Sequence, residues 1–208
     1  MKERPRSVSV RSMRMSEKAA FDSGVSSREL MKKAGEGIYR ACVWETPVAV
    51  VCGKGNNAGD GYVAASLMSE DGIDCTLILL SDSFSEDGRY YFEACREKGI
   101  PYKLWSGPED LTGFSSVLDC IFGTGFRGEA EGTEREAIEA INRSGAFVVS
   151  ADINSGLNGD TGEGSVYVLS DLTVSVGCFK DGHFRGDAPD AMKKLVNVDL
   201  GIEIKDYN

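Results

Sequence analysis

The 208 residues hold 33 Asp and Glu against 23 Lys and Arg, a net charge of −10; Lys2, Arg4, Arg6, Arg11 and Arg14 against Glu3 put +4 on the first 14 residues and leave −14 on the rest. So acidic a body excludes a broad nucleic-acid surface, which needs clustered Lys and Arg, but a small anion held by backbone amides stays compatible with it. No run of about 18 apolar residues offers a membrane span, and six cysteines without a CxxC, most inside apolar runs, read as reduced thiols of a cytoplasmic protein.

The basic N-terminus lacks an apolar h-region, so no secretory signal is expected. Residues 1–12 read as a basic tail, and 13–208 as one domain large enough for a sizeable core. Met13 to Phe21 predicts a short helix closed by Gly24. Ser26-Ser-Arg-Glu29 is a capping box opening a second, with Leu30, Ala34, Ile38 and Ala41 at helical spacing. Then come a strand over Val48–Cys52, a helix over Asp60–Glu70, a strand over Cys75–Leu80 and a helix over Glu86–Lys98 stopped by Gly99. Tyr102–Trp105 and Ser116–Phe122 read as strands. Thr133-Glu-Arg-Glu136 repeats the capping-box signal for a helix to about Arg143, and Phe147–Ile153, Leu172–Val176 and Leu195–Val198 are the last strands.

Apolar strands alternating with amphipathic helices predict an α/β fold: a three-layer αβα sandwich, Rossmann-like, around a mostly parallel doubly wound sheet. Ligands of such sheets bind outside the carboxyl ends of the strands, near the switch in strand order. Three polar loops, Gly53–Asp60, Gly123–Glu129 and Asn154–Gly162, each follow a strand and are expected on that edge.

Gly53-Lys-Gly-Asn-Asn-Ala58 fits the dinucleotide pattern G-x-G-x-x-A between a strand and a helix, where backbone amides and the helix N-terminus hold phosphate. No Gly-Lys-Ser/Thr closes it, which excludes a P-loop. Asn56, Asn57 and Asp60 exceed what a phosphate turn requires and supply oriented hydrogen bonds or hard oxygen ligands. Asp119 interrupts Val117-Leu-Asp-Cys-Ile-Phe122. A carboxylate in a buried strand must be paired, bound to a cation or bonded to loop amides. In the loop after it, Arg127 either grips an anion or is solvated. Asp152 ends a strand, where doubly wound enzymes keep an acid or base; an Asx turn is the structural alternative. Asp160-Thr-Gly162 reads as turn chemistry. The single histidine, His183, reads as a loop residue, with Lys180 and Arg185 beside it either screening an anionic ligand or, as basic loops usually are, simply solvated.

Taken together, Gly53-Lys-Gly-Asn-Asn-Ala-Gly-Asp-Gly61, Leu118-Asp-Cys-Ile-Phe-Gly-Thr-Gly-Phe-Arg127, Ala151-Asp-Ile-Asn-Ser-Gly-Leu157, Asp160-Thr-Gly162 and Leu172-Thr-Val-Ser-Val-Gly177 with Lys180 resemble the NAD(P)H-hydrate epimerases, the YjeF N-terminal domain family. Met13-Arg14 and Leu30-Met-Lys-Lys-Ala-Gly35 look like it too, so the resemblance runs from Met13 to Ile202. It implies a homodimer that interconverts the R and S epimers of hydrated NADH and NADPH. It also implies ligand contacts from Asn56, Asn57, Ala58, Gly59, Asp60, Gly123, Thr124, Gly125, Phe126, Arg127, Gly128, Glu129 and Asp152, and a potassium ion on Asn57, Asp119 and Ser155. Many relatives carry a fused dehydratase; this chain ends at Asn208, so the resemblance implies the epimerase half, with a separate dehydratase as pathway partner. The chain departs from the family pattern at Lys32, Ala58, Asn154 and Asn158. For the hydrated ring, whose C6 bears both hydroxyl and ring nitrogen, one carboxyl that gives and takes a proton suffices, and Asp152 is the candidate. Two other classes are weighed: a non-catalytic scaffold module of the same fold from messenger-RNA decapping, and an NAD(P) oxidoreductase with Asp82 as ribose-binding acid. Asn57, Asp119, Asp152 and Ser155, with the body at −14, favour the enzyme over the scaffold, and an oxidoreductase gives no reason for Asn56, Asn57 and Asp60.

Overall fold

Val48–Cys52 is buried along its whole length, and its side chains alternate between two cores. Val48, Val50 and Cys52 face one, Ala49 and Val51 the other. A strand covered on both faces reads as a continuous apolar run, and such strands belong in a parallel sheet between helical layers. The computed structural model describes residues 5–207. Its elements are Ser7–Val8 (β1), Val10–Asp22 (α1), Ser27–Arg40 (α2), Val48–Cys52 (β2), Asn56–Glu70 (α3), Cys75–Leu79 (β3), Glu86–Glu97 (α4), Tyr102–Leu104 (β4), Ser116–Cys120 (β5), Gly132–Arg143 (α5), Phe147–Ala151 (β6), Leu172–Val176 (β7), Phe179–Lys180 (β8), Ala188–Ala191 (α6) and Leu195–Val198 (β9), with 3₁₀ turns at Pro108–Leu111 and Asp181–Phe184.

Seven strands form one sheet in the order β4-β3-β2-β5-β6-β7-β9, and every pairing is parallel. The fold is therefore the expected α/β sandwich. Helices α2, α3 and α4 cover one face through Leu30, Ile38, Tyr62, Met68 and Phe92; α5 covers the other through Ala137, Ile138 and Ile141. Gly35 lets α2 lie against α3: a Cβ there would stand 2.4 Å from Val63 Cβ and 2.6 Å from the Asp60 carbonyl oxygen. Among the described residues no helix is long and apolar enough to cross a membrane. All six cysteines are free, and four are buried.

Three local readings change. Helix α3 begins at Asn56, not Asp60, because Gly55 is its N-cap; Asn56 to Asp60 form its first turn rather than a loop. In α5 the chain turns at Gly132 (φ +53), so Thr133 lies inside the first turn and cannot cap it; Glu131 is the N-cap. The tail reading of residues 1–12 fails over 7–12. Ser7 and Val8 pair in parallel with Phe179 and Lys180, Val8 is buried, and α1 starts at Val10 with Ser9 Oγ accepting the Ser12 N–H at 3.0 Å. Lys2, Glu3 and Arg4 of that tail lie outside the described residues.

Candidate functional site

The strand order reverses between β2 and β5: from β2 the chain runs outward through β3 and β4, then crosses to β5 on the other side. The two following loops separate there and leave a crevice. Gly53 keeps them close at their base, since a Cβ on it would sit 2.2 Å from the Ile121 carbonyl oxygen. Asn57, in the first turn of α3, donates its Nδ2 to the Phe122 carbonyl at 3.0 Å, while its buried Oδ1 has no hydrogen-bond partner among the described residues.

Asp119 is fully buried in β5, in register with Val51 of β2 and Ser150 of β6. Its Oδ1 accepts the Ile121 N–H (3.2 Å) and the Ser155 hydroxyl (2.5 Å); its Oδ2 accepts the Ser150 hydroxyl (2.8 Å) and the Ser155 N–H (3.0 Å). All four donors are neutral. Burial pushes the Asp119 carboxyl above its ordinary range, and these bonds only partly oppose it. Ser155 Oγ also accepts the Phe122 N–H at 2.9 Å, so Asn57, Phe122, Asp119 and Ser155 form one connected oxygen-rich knot. Among the described residues no cluster of three His, Cys, Asp or Glu side chains of the kind that holds zinc occurs.

Asp152 follows β6 with φ +63, a left-handed backbone that Asp tolerates better than most residues. This turn sends its carbonyl to one side and its carboxylate into the crevice. Oδ2 accepts both the N–H (2.8 Å) and the hydroxyl (2.7 Å) of Thr124. Oδ1 takes the Lys180 ammonium at 2.5 Å, and that ammonium also donates to the Val176 carbonyl at 2.7 Å. Burial alone would raise the Asp152 carboxyl, but the Lys180 charge and the Lys180 and Thr124 hydrogen bonds outweigh it and hold the group below its ordinary range. Asp152 is thus an ionised carboxylate at neutral pH.

Lys180 and His183 correct the sequence reading. Neither is a solvated loop residue: they are 1% and 2% exposed. His183 Nδ1 accepts the Lys180 N–H at 3.0 Å, which leaves Nε2 to carry the proton and donate to the Asp152 carbonyl at 2.8 Å. Burial, with the Lys180 charge, lowers the His183 imidazole to about 4, so the ring is neutral. A lysine beside Phe179 that falls on a strand pairing with β1 was the available signal, and two-residue strands leave too little pattern to detect it.

These groups line a cavity of about 440 Å³, within the range of small-molecule sites. Of the expected contacts, Asn56, Asn57 and Asp60 line it from α3, Gly123 to Phe126 from the loop after β5, and Asp152 from β6. Ala58, Gly59, Gly128 and Glu129 do not line it, and neither does Arg127. The Arg127 guanidinium instead bonds the Thr124 and Phe126 carbonyls (3.0 and 2.7 Å) and pairs with Asp160 at 2.8 Å. Asp160 in turn accepts the Val10 N–H at 2.7 Å, which pins the start of α1 beside the site. Helix α1, expected from the sequence but given no site residue, adds Met13, Arg14 and Glu17 to the wall, and Lys54 closes the rim. Asp60 and Glu17 are both half-buried. Burial, then the charges of Asp152 and Glu17, push the Asp60 carboxyl well above its ordinary range; burial, with Asp152, raises that of Glu17.

Several known proteins are similar to this chain. The bifunctional NAD(P)H-hydrate repair enzyme Nnr of Coxiella burnetii is 34% identical over 199 residues, 92% of this chain and 41% of that protein. The NAD(P)H-hydrate epimerase of Plasmodium knowlesi is 32% identical over 174 residues, 79% of this chain and 60% of that protein. The chain thus spans well under half the length of the first relative and under two thirds of the second. The crystal structure of yeast ynu0, YNL200c, superposes with a TM-score of 0.80 at 19% identity, covering 98% of this chain and 96% of that one, which supports the fold. Residues 27–182 match the family model described as YjeF-related protein N-terminus, so the chain belongs to that family.

Proposed function

We propose that this chain interconverts the R and S epimers of hydrated NADH and NADPH. The observation that carries the reading is the cavity at the strand-order switch, where an ionised carboxylate, Asp152, stands beside the glycine-rich loop and the open first turn of α3. Arg14 and Lys54, with the uncapped N–H groups at the start of α3, suit the coenzyme's phosphates. The nicotinamide end then lies deeper, against Asp152 and Asp60. There C6 loses and regains water, and Asp152 takes the proton of the adding water.

The same reading places a potassium ion on Asn57, Asp119 and Ser155. Two features support the fit: among the described residues the buried Asn57 Oδ1 has no partner, and the Asp119 charge is met only by neutral donors. Bound there, the ion would supply positive charge that fixes the loop after β5. We further propose a homodimer formed through the outer side of α1, where Met15 and Phe21 stay 38% and 41% exposed. A separate dehydratase would consume the S epimer.

The test is direct. Mixed epimers of hydrated NADH are incubated with the protein and followed by chromatography, with the spontaneous rate subtracted. Interconversion is expected in KCl, and a slower rate in choline chloride. Binding without interconversion would instead favour a scaffold module, and equal rates in the two salts would remove the potassium assignment. Light scattering at micromolar concentration is expected to give twice the chain mass; a monomer mass would reject the dimer.

A further inference from the structure

Two groups of carboxylates face the cavity, and they differ in how they are bonded. Asp152 is saturated: Thr124 supplies two donors and Lys180 a third, its charge included. Asp60 and Glu17 take no side-chain hydrogen bond or ion pair from any described residue that lines the site, although both stand in the same wall. Asp60 is held firmly in place. It lies in the first turn of α3, where its backbone is wedged against Gly35 of α2. Glu17 reaches in from α1, whose start is fixed by the Asp160 contact to Val10. A carboxylate bonded to an ammonium and two further donors rests ionised, so it holds no proton to give when the reaction starts. A carboxyl with unspent oxygens, facing the same space, is the better one to deliver a proton.

We propose that Asp60 is the general acid of the epimerisation, and that Glu17 is a positioning residue that keeps the proton on it. This rests on the epimerase reading and divides the proton work between two groups that reading leaves to one. The Asp60 carboxyl gives its proton to the hydroxyl oxygen on C6. The C6–O bond breaks, water leaves with that electron pair, and the ring-nitrogen lone pair forms the N1=C6 bond. Water then adds to C6 from the other side, the N1=C6 pair returns to nitrogen, and the water's extra proton goes to the Asp152 carboxylate. Asp152 next releases that proton to solvent and Asp60 takes one up, so substrate and enzyme end with the protons they began with. The reset is favourable in both halves. Lys180 and Thr124 disfavour the proton on Asp152, while burial and the charges of Asp152 and Glu17 favour it on Asp60. Lys180 alone works against the Asp60 proton; Arg14 and Lys54 are the other cations of the same wall.

The test compares wild type, Asp60→Asn and Glu17→Gln in the epimer assay across pH, together with the ¹³C titration of the Asp60 carboxyl. Asp60→Asn is expected to bind the hydrated coenzyme but to lose about 10²-fold or more of the turnover rate. Glu17→Gln is expected to keep turnover at low pH and to move the basic limb of the profile to lower pH. The Asp60 ¹³C midpoint should move the same way, because a neighbouring negative charge has been removed. Wild-type turnover in Asp60→Asn overturns the acid assignment. A basic limb and a ¹³C midpoint unmoved by Glu17→Gln overturn the role of Glu17. A wild-type protein that leaves the epimers unchanged overturns the epimerase reading itself, and the acid role with it.

Discussion

Lys180→Met is expected to destabilise the protein by about 3 kcal/mol, the low end for breaking a buried ion pair from one side. The ammonium is 2% exposed at its side chain and the Asp152 carboxylate 14%, so methionine fills the space but leaves a nearly buried negative charge without its cation. The cavity admits some water to Asp152, which is why the low end applies. The Val176 carbonyl loses a donor as well. For a chain of this size the melting temperature should fall by roughly 6–12 °C. The effect has a pH signature. The folded Asp152 carboxyl lies below its ordinary value, so the pair contributes stability that is present above about pH 4 and lost as the pH falls through the folded value. The gap between wild type and variant should therefore narrow in acid. Adding Asp152→Asn to Lys180→Met should restore part of the loss, since it removes the stranded charge. Melting curves that coincide at pH 7 would show that the pair contributes nothing.

Asp152→Asn alone is expected to bind the hydrated coenzyme yet to lose about 10²–10⁴-fold in turnover. Asparagine is well suited to the left-handed backbone at φ +63, so the carbonyl that His183 holds should stay where it is. The side chain is a different matter. Three donors point at the carboxylate, and an amide offers them one oxygen and an unwelcome NH₂. The variant thus removes the proposed proton acceptor and leaves Lys180 poorly matched. Turnover and melting temperature measured together separate the two effects. Near wild-type turnover at saturating substrate would mean that Asp152 only shapes the turn, and all proton transfer would pass to Asp60.

Much of this site was legible in the sequence because its parts announce themselves locally. Asp119 is conspicuous as a carboxylate within an apolar strand, and the apolar runs of β2 and β5 could only be strands covered on both faces. Alternating strands and helices then bring the loops at 53, 123 and 154 to one edge. What stayed hidden depends on contacts between distant parts of the chain. Lys180 sits on a two-residue strand too short to carry a pattern, and its partner lies 28 residues away. Arg127 stays open between an anion grip and a solvated turn until Asp160, 33 residues on, is seen to take it. Glu17 and Arg14 look like the polar side of an ordinary amphipathic helix, and only the packing of α1 over the crevice makes them part of it. The first turn of α3 was misplaced for a simpler reason: Gly and Asn favour loops in isolation, and tertiary packing overrode that preference.

Helix α1, part of the cavity wall, is held by distant parts of the chain. Helix α1 is tied to residue 160, and its serines 12 and 16 meet the backbone of Tyr207 and Lys205 across separations of 195 and 189 residues. The neighbouring strand–helix–strand units, by contrast, close over short stretches. Loop-closure entropy makes such long-range contacts late events in folding. The sheet and its covering helices are therefore expected to form before α1 closes over the crevice.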